Sequence, residues 1–169
     1  PGIVAADGTL DRAAVAARVF GDPDELAALN AIVHPAVGAE MARRRAAWAD
    51  TDAIVVLDIP LLVRSDDEPL RDEYRDLAGI VVVDVDPEIA VERLVRFRGF
   101  DPDGARARIA RQASRAARLA VADFVIDNGG DLEQLEREVE RCWAWMRRRR
   151  DELAAARDAP DTGEAAAGE

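Results

Sequence analysis

Lysine is missing from the 169 residues; all 23 basic side chains are arginine. Chemistry that needs an amine, whether a Schiff base, an amine general base or the phosphate-gripping lysine of a P-loop, cannot be carried by this sequence. A single cysteine, Cys142, excludes an internal disulfide and a cysteine metal cluster, which suits a reducing compartment. His34 is the only imidazole, and no Ser or Cys partner at a recognisable spacing supports a hydrolytic triad. Aromatic residues make up 5% of the chain, too few for stacking platforms along a nucleic-acid strand. No apolar run approaches the roughly 20 residues that span a bilayer, and no secretory pattern opens the chain. Cytoplasm is the expected location. A net charge of −11 argues against general affinity for nucleic acid or anionic membrane.

What remains is 49% hydrophobic and 34% charged, enough to bury a core and form a pocket. One domain is expected over residues 1–157, followed by an acidic, disordered tail over 158–169. Three short β-branched runs, residues 53–58, 79–84 and 122–127, scarcely alternate and therefore read as strands covered on both faces. Helices are expected over 10–20, 24–33 and 41–48, with a break at Pro35. Asp86-Pro87-Glu88 is a helix start, and that helix should stop at Gly99. Asp101-Pro102-Asp103 should open another helix, reaching Leu119. After Asn128-Gly129-Gly130, apolar residues at 132, 135, 139, 142 or 143 and 146 predict a long helix, with Arg147 to Arg150 as a cluster at its C-terminus. Strands alternating with helices point to an α/β fold with a parallel sheet, in which ligands bind at the carboxyl ends of strands.

The charge is unevenly spread. From Arg93 to Arg118 eight arginines stand against only Asp101 and Asp103, a segment suited to holding a polyanion through bidentate contacts. An Arg-rich solvated helix is the bland alternative. The layout is more specific: two Arg-bearing helices joined at Gly99-Phe100-Asp101-Pro102 can close as a lid over a nucleotide. Asp58 ends its apolar run as do the carboxylates that P-loop enzymes present to Mg²⁺ or its water shell. A strand-terminal turn residue is the alternative reading. His34 before Pro35 is equally compatible with a buried or capping histidine.

Several ordered blocks carry a resemblance. Leu29-Asn30 with His34-Pro35, Asp58-Ile59-Pro60-Leu61-Leu62, Arg98-Gly99, Arg108-Ile109 with Gln112, Arg118-Leu119, and Ala122-Asp123 through Asp127-Asn128 resemble the dephospho-CoA kinase family, as do Asp7-Gly8 with Asp11-Arg12 and Val19-Phe20. The resemblance covers about residues 7–145. It implies a P-loop NTPase-type parallel sheet flanked by helices, with a helical acceptor-binding region and an Arg-rich lid at about 93–119. The implied activity is transfer of the γ-phosphoryl of ATP, with Mg²⁺, to the ribose 3′-hydroxyl of dephospho-CoA. By the same resemblance His34 and Pro35 lie in the acceptor region and Pro60, Leu61 and Leu62 line the cleft. Arg98, Arg108, Gln112, Arg115 and Arg118 belong to the lid and phosphate-facing region, and Asn128 and Gly129 to the loop near the adenine. Arg108, Arg118 and Asp58 are the catalytic candidates, and no residue is assigned as a metal ligand.

Two departures stand out. Arg64 occupies a position that is usually acidic in the family, and the opening section, with its first strand and G-x-x-x-x-G-K-[ST] loop, is absent. The sequence begins at Pro1, so an N-terminally truncated portion is expected, with the complete product active and this chain alone inactive. Other P-loop nucleoside or nucleotide kinases, or a non-catalytic module binding CoA-like ligands, are the alternatives. Oligomeric state is not legible.

Overall fold

A computed structural model describes residues 2–4, 7–19, 21–67, 70–75 and 77–158. The chain divides into two compact units, Pro1–Val55 and Val56–Glu169.

The first unit is a pair of helices. In α1 (Arg12–Val19) the Asp11 carboxylate caps the N-terminus by accepting from the Ala13 and Ala14 amides, both at 3.0 Å. Val19 is its buried residue; Phe20, expected to close the helix, lies outside the described residues. Helix α2 (Pro23–Ala46) begins at Asp22, whose side chain accepts from the Asp24 and Glu25 amides, with Pro23 in the first turn. Arg18 on α1 donates to Glu25 on α2 at 2.6 Å, which joins the two.

Here the expectation of a break at Pro35 is overturned: α2 is continuous, with Pro35 inside it. An interior proline costs a hydrogen bond and about 3 kcal/mol. That cost is tolerated because the face is exposed, so water can solvate the carbonyl left without its helical donor, and because Ala, Leu, Glu and Arg on either side are strong helix formers.

The second unit is organised on two parallel strands, β1 (Val81–Asp84) and β2 (Phe124–Asp127), in register Val81 with Phe124 and Asp84 with Asp127. The parallel α/β arrangement read from the sequence is therefore present. Ahead of the ladder, Ile80 donates its amide to the Asp123 carboxylate at 2.8 Å, and its carbonyl accepts from Asp123 and Phe124. The third expected strand, residues 53–58, carries no strand. A strand is defined by its hydrogen-bonded neighbour, and among the described residues none pairs with it; Val56 is 67% exposed.

Between the strands run α3 (Pro87–Arg98), α4 (Pro102–Ala110) and α5 (Arg115–Ala120). Asp86 caps α3, and Gly99, at φ 68°, closes it in the left-handed conformation that glycine adopts without penalty. Ala105 of α4 is fully buried. One helix was expected from the Asp101 start to Leu119; two are found. Ser114 separates them, its hydroxyl accepting from the Ala117 amide as the cap of α5. A mid-segment serine competes with the helical backbone for donors in this way.

Helix α6 (Leu132–Asp158) packs on β2. Trp145 stacks at 5.4 Å from Phe124 and crosses Gly79 so closely that a Cβ there would fall 2.5 Å from the ring. The packed face is carried by the buried Cys142 and the half-buried Trp145, while Leu132, Val139 and Trp143 of the apolar repeat are exposed. Arg147 to Arg150 do not end the helix as expected, since it runs on to Asp158. Arg149 instead donates to the Ala78 carbonyl at 2.9 Å, and Arg150 pairs with Asp151. Asp158 is helical; the rest of the expected tail, 159–169, lies outside the described residues.

Candidate functional site

At the carboxyl edge of the sheet, three elements converge on Asp84, the buried charged residue that ends β1. Arg115, in the first turn of α5, meets its carboxylate side-on. Nε lies 3.0 and 2.9 Å from the two oxygens, and one terminal nitrogen 2.6 Å from Oδ2. The remaining terminal nitrogen lies 3.8 Å from Asp86. Asp84 also receives, through its backbone carbonyl, the Asn128 amide at 2.8 Å. Its two polar ends thus tie the start of α5 to the loop that follows β2.

That loop is fixed from several sides. Gly129 donates to the Asp127 carboxylate at 2.7 Å, and Gln134 reaches the same group at 3.2 Å. Arg93 of α3 donates to the carbonyls of Asn128 and Gly130 at 2.6 and 2.9 Å.

On the other side of Arg115 a cleft of about 440 Å³ opens, lined by Asp66, Pro87, Gln112, Ser114, Arg115 and Arg118 among others. Ser114 donates its amide to Asp66 at 2.6 Å, which anchors the joint between α4 and α5 to the segment before β1. The Ser114 hydrogen bonds, with a smaller contribution from the Arg118 charge, hold the Asp66 carboxyl below its usual range. Arg118 donates to the Ala113 carbonyl at 2.5 Å. Arg115 is pushed further toward its charged form, first by its hydrogen bonds to Asp84. Two guanidinium groups and an amide at one cleft are suited to an anion bearing several oxygens.

Of the residues singled out in the sequence, the structure brings Gln112, Arg115 and Arg118 together at this cleft. Asn128 and Gly129 do not line it: Asn128 donates to the Asp84 carbonyl and Gly129 to the Asp127 carboxylate. Arg98 stands exposed in the last turn of α3, and Arg108 lies over the Phe100 ring at 5.7 Å; neither lines the cleft. Asp58 is exposed, in the segment that forms no strand, and Pro60 and Leu61 are exposed after it, with Leu62 half-buried. His34 and Pro35 belong to α2 in the first unit.

Sequence reasoning passed over Asp66 and Ser114, and gave Asp84 at its strand end and Arg93 in the Arg-rich segment no individual role. Asp84 ends a strand as Asp58 does, so its position was visible; its bidentate partner, 31 residues away, was not. Among the described residues no group of three or more His, Cys, Asp or Glu is arranged to hold a metal. No helix among them is long and apolar enough to cross a membrane.

A family model described as CoaE, dephospho-CoA kinase, matches residues 1–134. The chain is 50% identical to a dephospho-CoA kinase of Streptomyces avermitilis over 142 residues, covering 84% of this chain and 66% of that protein. It is 49% identical to one of Leifsonia xyli over 149 residues, covering 86% and 72%. Among solved structures, TT1252 from Thermus thermophilus superposes with a TM-score of 0.62 at 31% identity, covering 83% of this chain and 70% of that one. Dephospho-CoA kinase from Campylobacter jejuni superposes with a TM-score of 0.60 at 19% identity, over 84% and 68%, a likeness of fold. With the family model matching most of its length, this chain belongs to the dephospho-CoA kinase family.

Proposed function

We propose that the chain supplies the phosphate-facing and acceptor-facing parts of a kinase that transfers the γ-phosphoryl of ATP to the ribose 3′-hydroxyl of dephospho-CoA. The observation that carries this reading is the meeting of Gln112, Arg115 and Arg118 at one cleft beside the carboxyl edge of a parallel sheet, within the segment matched by the family model. Phosphoryl transfer spreads charge over equatorial oxygens, and guanidinium groups fixed beforehand stabilise it without reorganising at the moment of reaction. In this reading Arg115 and Arg118 face the phosphates, Arg98 and Arg108 join them from the segment 93–119 acting as a lid, and Asn128 and Gly129 lie by the adenine. His34, Pro35, Pro60, Leu61 and Leu62 serve the acceptor, and Asp58 stands toward the metal-bound water shell.

Among the described residues no group of carboxylates forms a metal cage, and Asp84 is committed to Arg115. Mg²⁺ in this reading is carried by the phosphates of ATP, whose charge it neutralises, and no step is assigned to a protein-held ion.

Titration calorimetry with ATP and with dephospho-CoA tests the proposal. Both are expected to bind, and Arg118→Gln should weaken ATP at least tenfold while sparing dephospho-CoA; failure of both ligands to bind would overturn it. The complete absence of lysine favours a second outcome for the chain by itself, binding without turnover, because transfer in P-loop kinases leans on a lysine at the β- and γ-phosphates. A coupled ADP-release assay decides that point, and steady phosphorylation of dephospho-CoA would refute it.

A further inference from the structure

We infer that Asp84 is a positioning residue, which holds the Arg115 guanidinium in the orientation the cleft uses. The inference rests on the reading of that cleft as a phosphate site.

Arg115 is attached to α5 by a flexible stem and is 44% exposed, so left alone it would sample many rotamers. Asp84 is 8% exposed at its side chain and belongs to a strand paired along its length with β2. The mobile group is therefore fixed by the rigid one. The contact engages Nε and one terminal nitrogen, the side-on edge of the fork, and leaves protons on the terminal nitrogens for a second oxygen-bearing partner.

Asp84 has a second attachment through its carbonyl to the Asn128 amide, so the strand end that orients Arg115 also sets the loop after β2. The carboxylates of Asp86 and Asp127 lie near enough to add to the field at Arg115, but neither forms the short bidentate contact. A residue that only neutralised Arg115 would be replaceable by either of them. A residue that orients it would not.

The test is a double-mutant cycle on the full chain, with inorganic triphosphate as the probe and calorimetry as the readout. Asp84→Asn keeps the side-chain shape and removes the charge. It is expected to weaken triphosphate binding about three- to tenfold, the range that follows from having to immobilise a long side chain on binding. In the Arg115→Gln background the same change should have no further effect. Arg115→Lys, which leaves Asp84 in place and keeps the positive charge but lacks the fork, should bind as weakly as Arg115→Gln; it also covers the case in which Asp84→Asn melts the strand end, monitored by circular dichroism.

Three results overturn the inference alone, while the wild-type chain binds triphosphate: unchanged or tighter binding by Asp84→Asn, an equal loss in the presence and absence of Arg115, or wild-type affinity in Arg115→Lys. Failure of the wild-type chain to bind triphosphate at all overturns the phosphate reading of the cleft and this inference with it.

Discussion

Helix α2 and the region from β1 to β2 are held in different ways. Across its 24 residues α2 buries no side chain. Its order comes from near neighbours: the Asp22 cap, the Pro23 start, and Glu40 bridging Arg43 and Arg44 three and four residues on. Around β1 and β2, by contrast, the decisive contacts join residues 31 to 48 apart, including Arg115 with Asp84, Arg93 with Asn128, and Ser114 with Asp66. Local terms suffice to draw a helix. Placing an arginine at a cleft takes contacts made through the fold.

The largest effect that would break this contrast lies in the second region. Trp145→Ala removes the ring that spans Phe124 and Gly79 and should cost about 3 kcal/mol of unfolding free energy, read as a lowered urea midpoint. Gly79→Ala should cost less, about 1–2 kcal/mol, and most of that loss should vanish when Trp145 is already Ala, because the clash is with this one ring. Independent costs at the two sites would mean that Gly79 is constrained by something other than the tryptophan.

Pro35→Ala comes next, with the opposite sign. It restores a backbone donor inside α2 and should stabilise that helix by up to about 3 kcal/mol, seen as a higher melting temperature of the 222 nm ellipticity. The same change in a helix anchored by a packed face would be partly masked. No gain here would mean that α2 is not governed by local terms.

These two regions also explain what could be read in advance. The starts at Asp22-Pro23, Asp86-Pro87 and Asp101-Pro102 were legible, since a cap and a first-turn proline act within a few residues. So were the apolar runs of β1 and β2 and their parallel sense. The run at 53–58 is apolar and ends in Asp as β1 does, yet it forms no strand, because composition does not supply the neighbour. Pro35 misled for a related reason: propensity ranks the cost of a proline but not whether solvent offsets it. At the site, the arginines could be singled out by type and spacing, and Gln112, Arg115 and Arg118 do meet. Their acidic and serine partners escaped notice because each is ordinary in its own local sequence.

Removing the α2 cap separates local order from tertiary order on a smaller scale. Asp22→Ala leaves the Asp24 and Glu25 amides without their acceptor and should cost about 1 kcal/mol in that helix. Loss of ellipticity at 222 nm should precede loss of Trp145 fluorescence on warming. Coincident transitions would show the two regions melting as one.

Glu40 gives the smallest effect. Hydrogen bonds from Arg43 first, then Arg44, lower its carboxyl from 4.5 to about 2. A carboxyl with a depressed folded pKa adds stability that is fully present above its unfolded value and disappears as pH falls through the folded one. The contribution to α2 should therefore be intact at pH 5 and lost progressively between about 4.5 and 2. Because the group is exposed, solvent screens the pair and the change in helicity should be slight, smaller still at 1 M salt where the Debye length is about 3 Å. Glu40→Gln should flatten that part of the pH profile at low salt; a profile unchanged by the substitution would mean that the two arginines do not order α2 through Glu40.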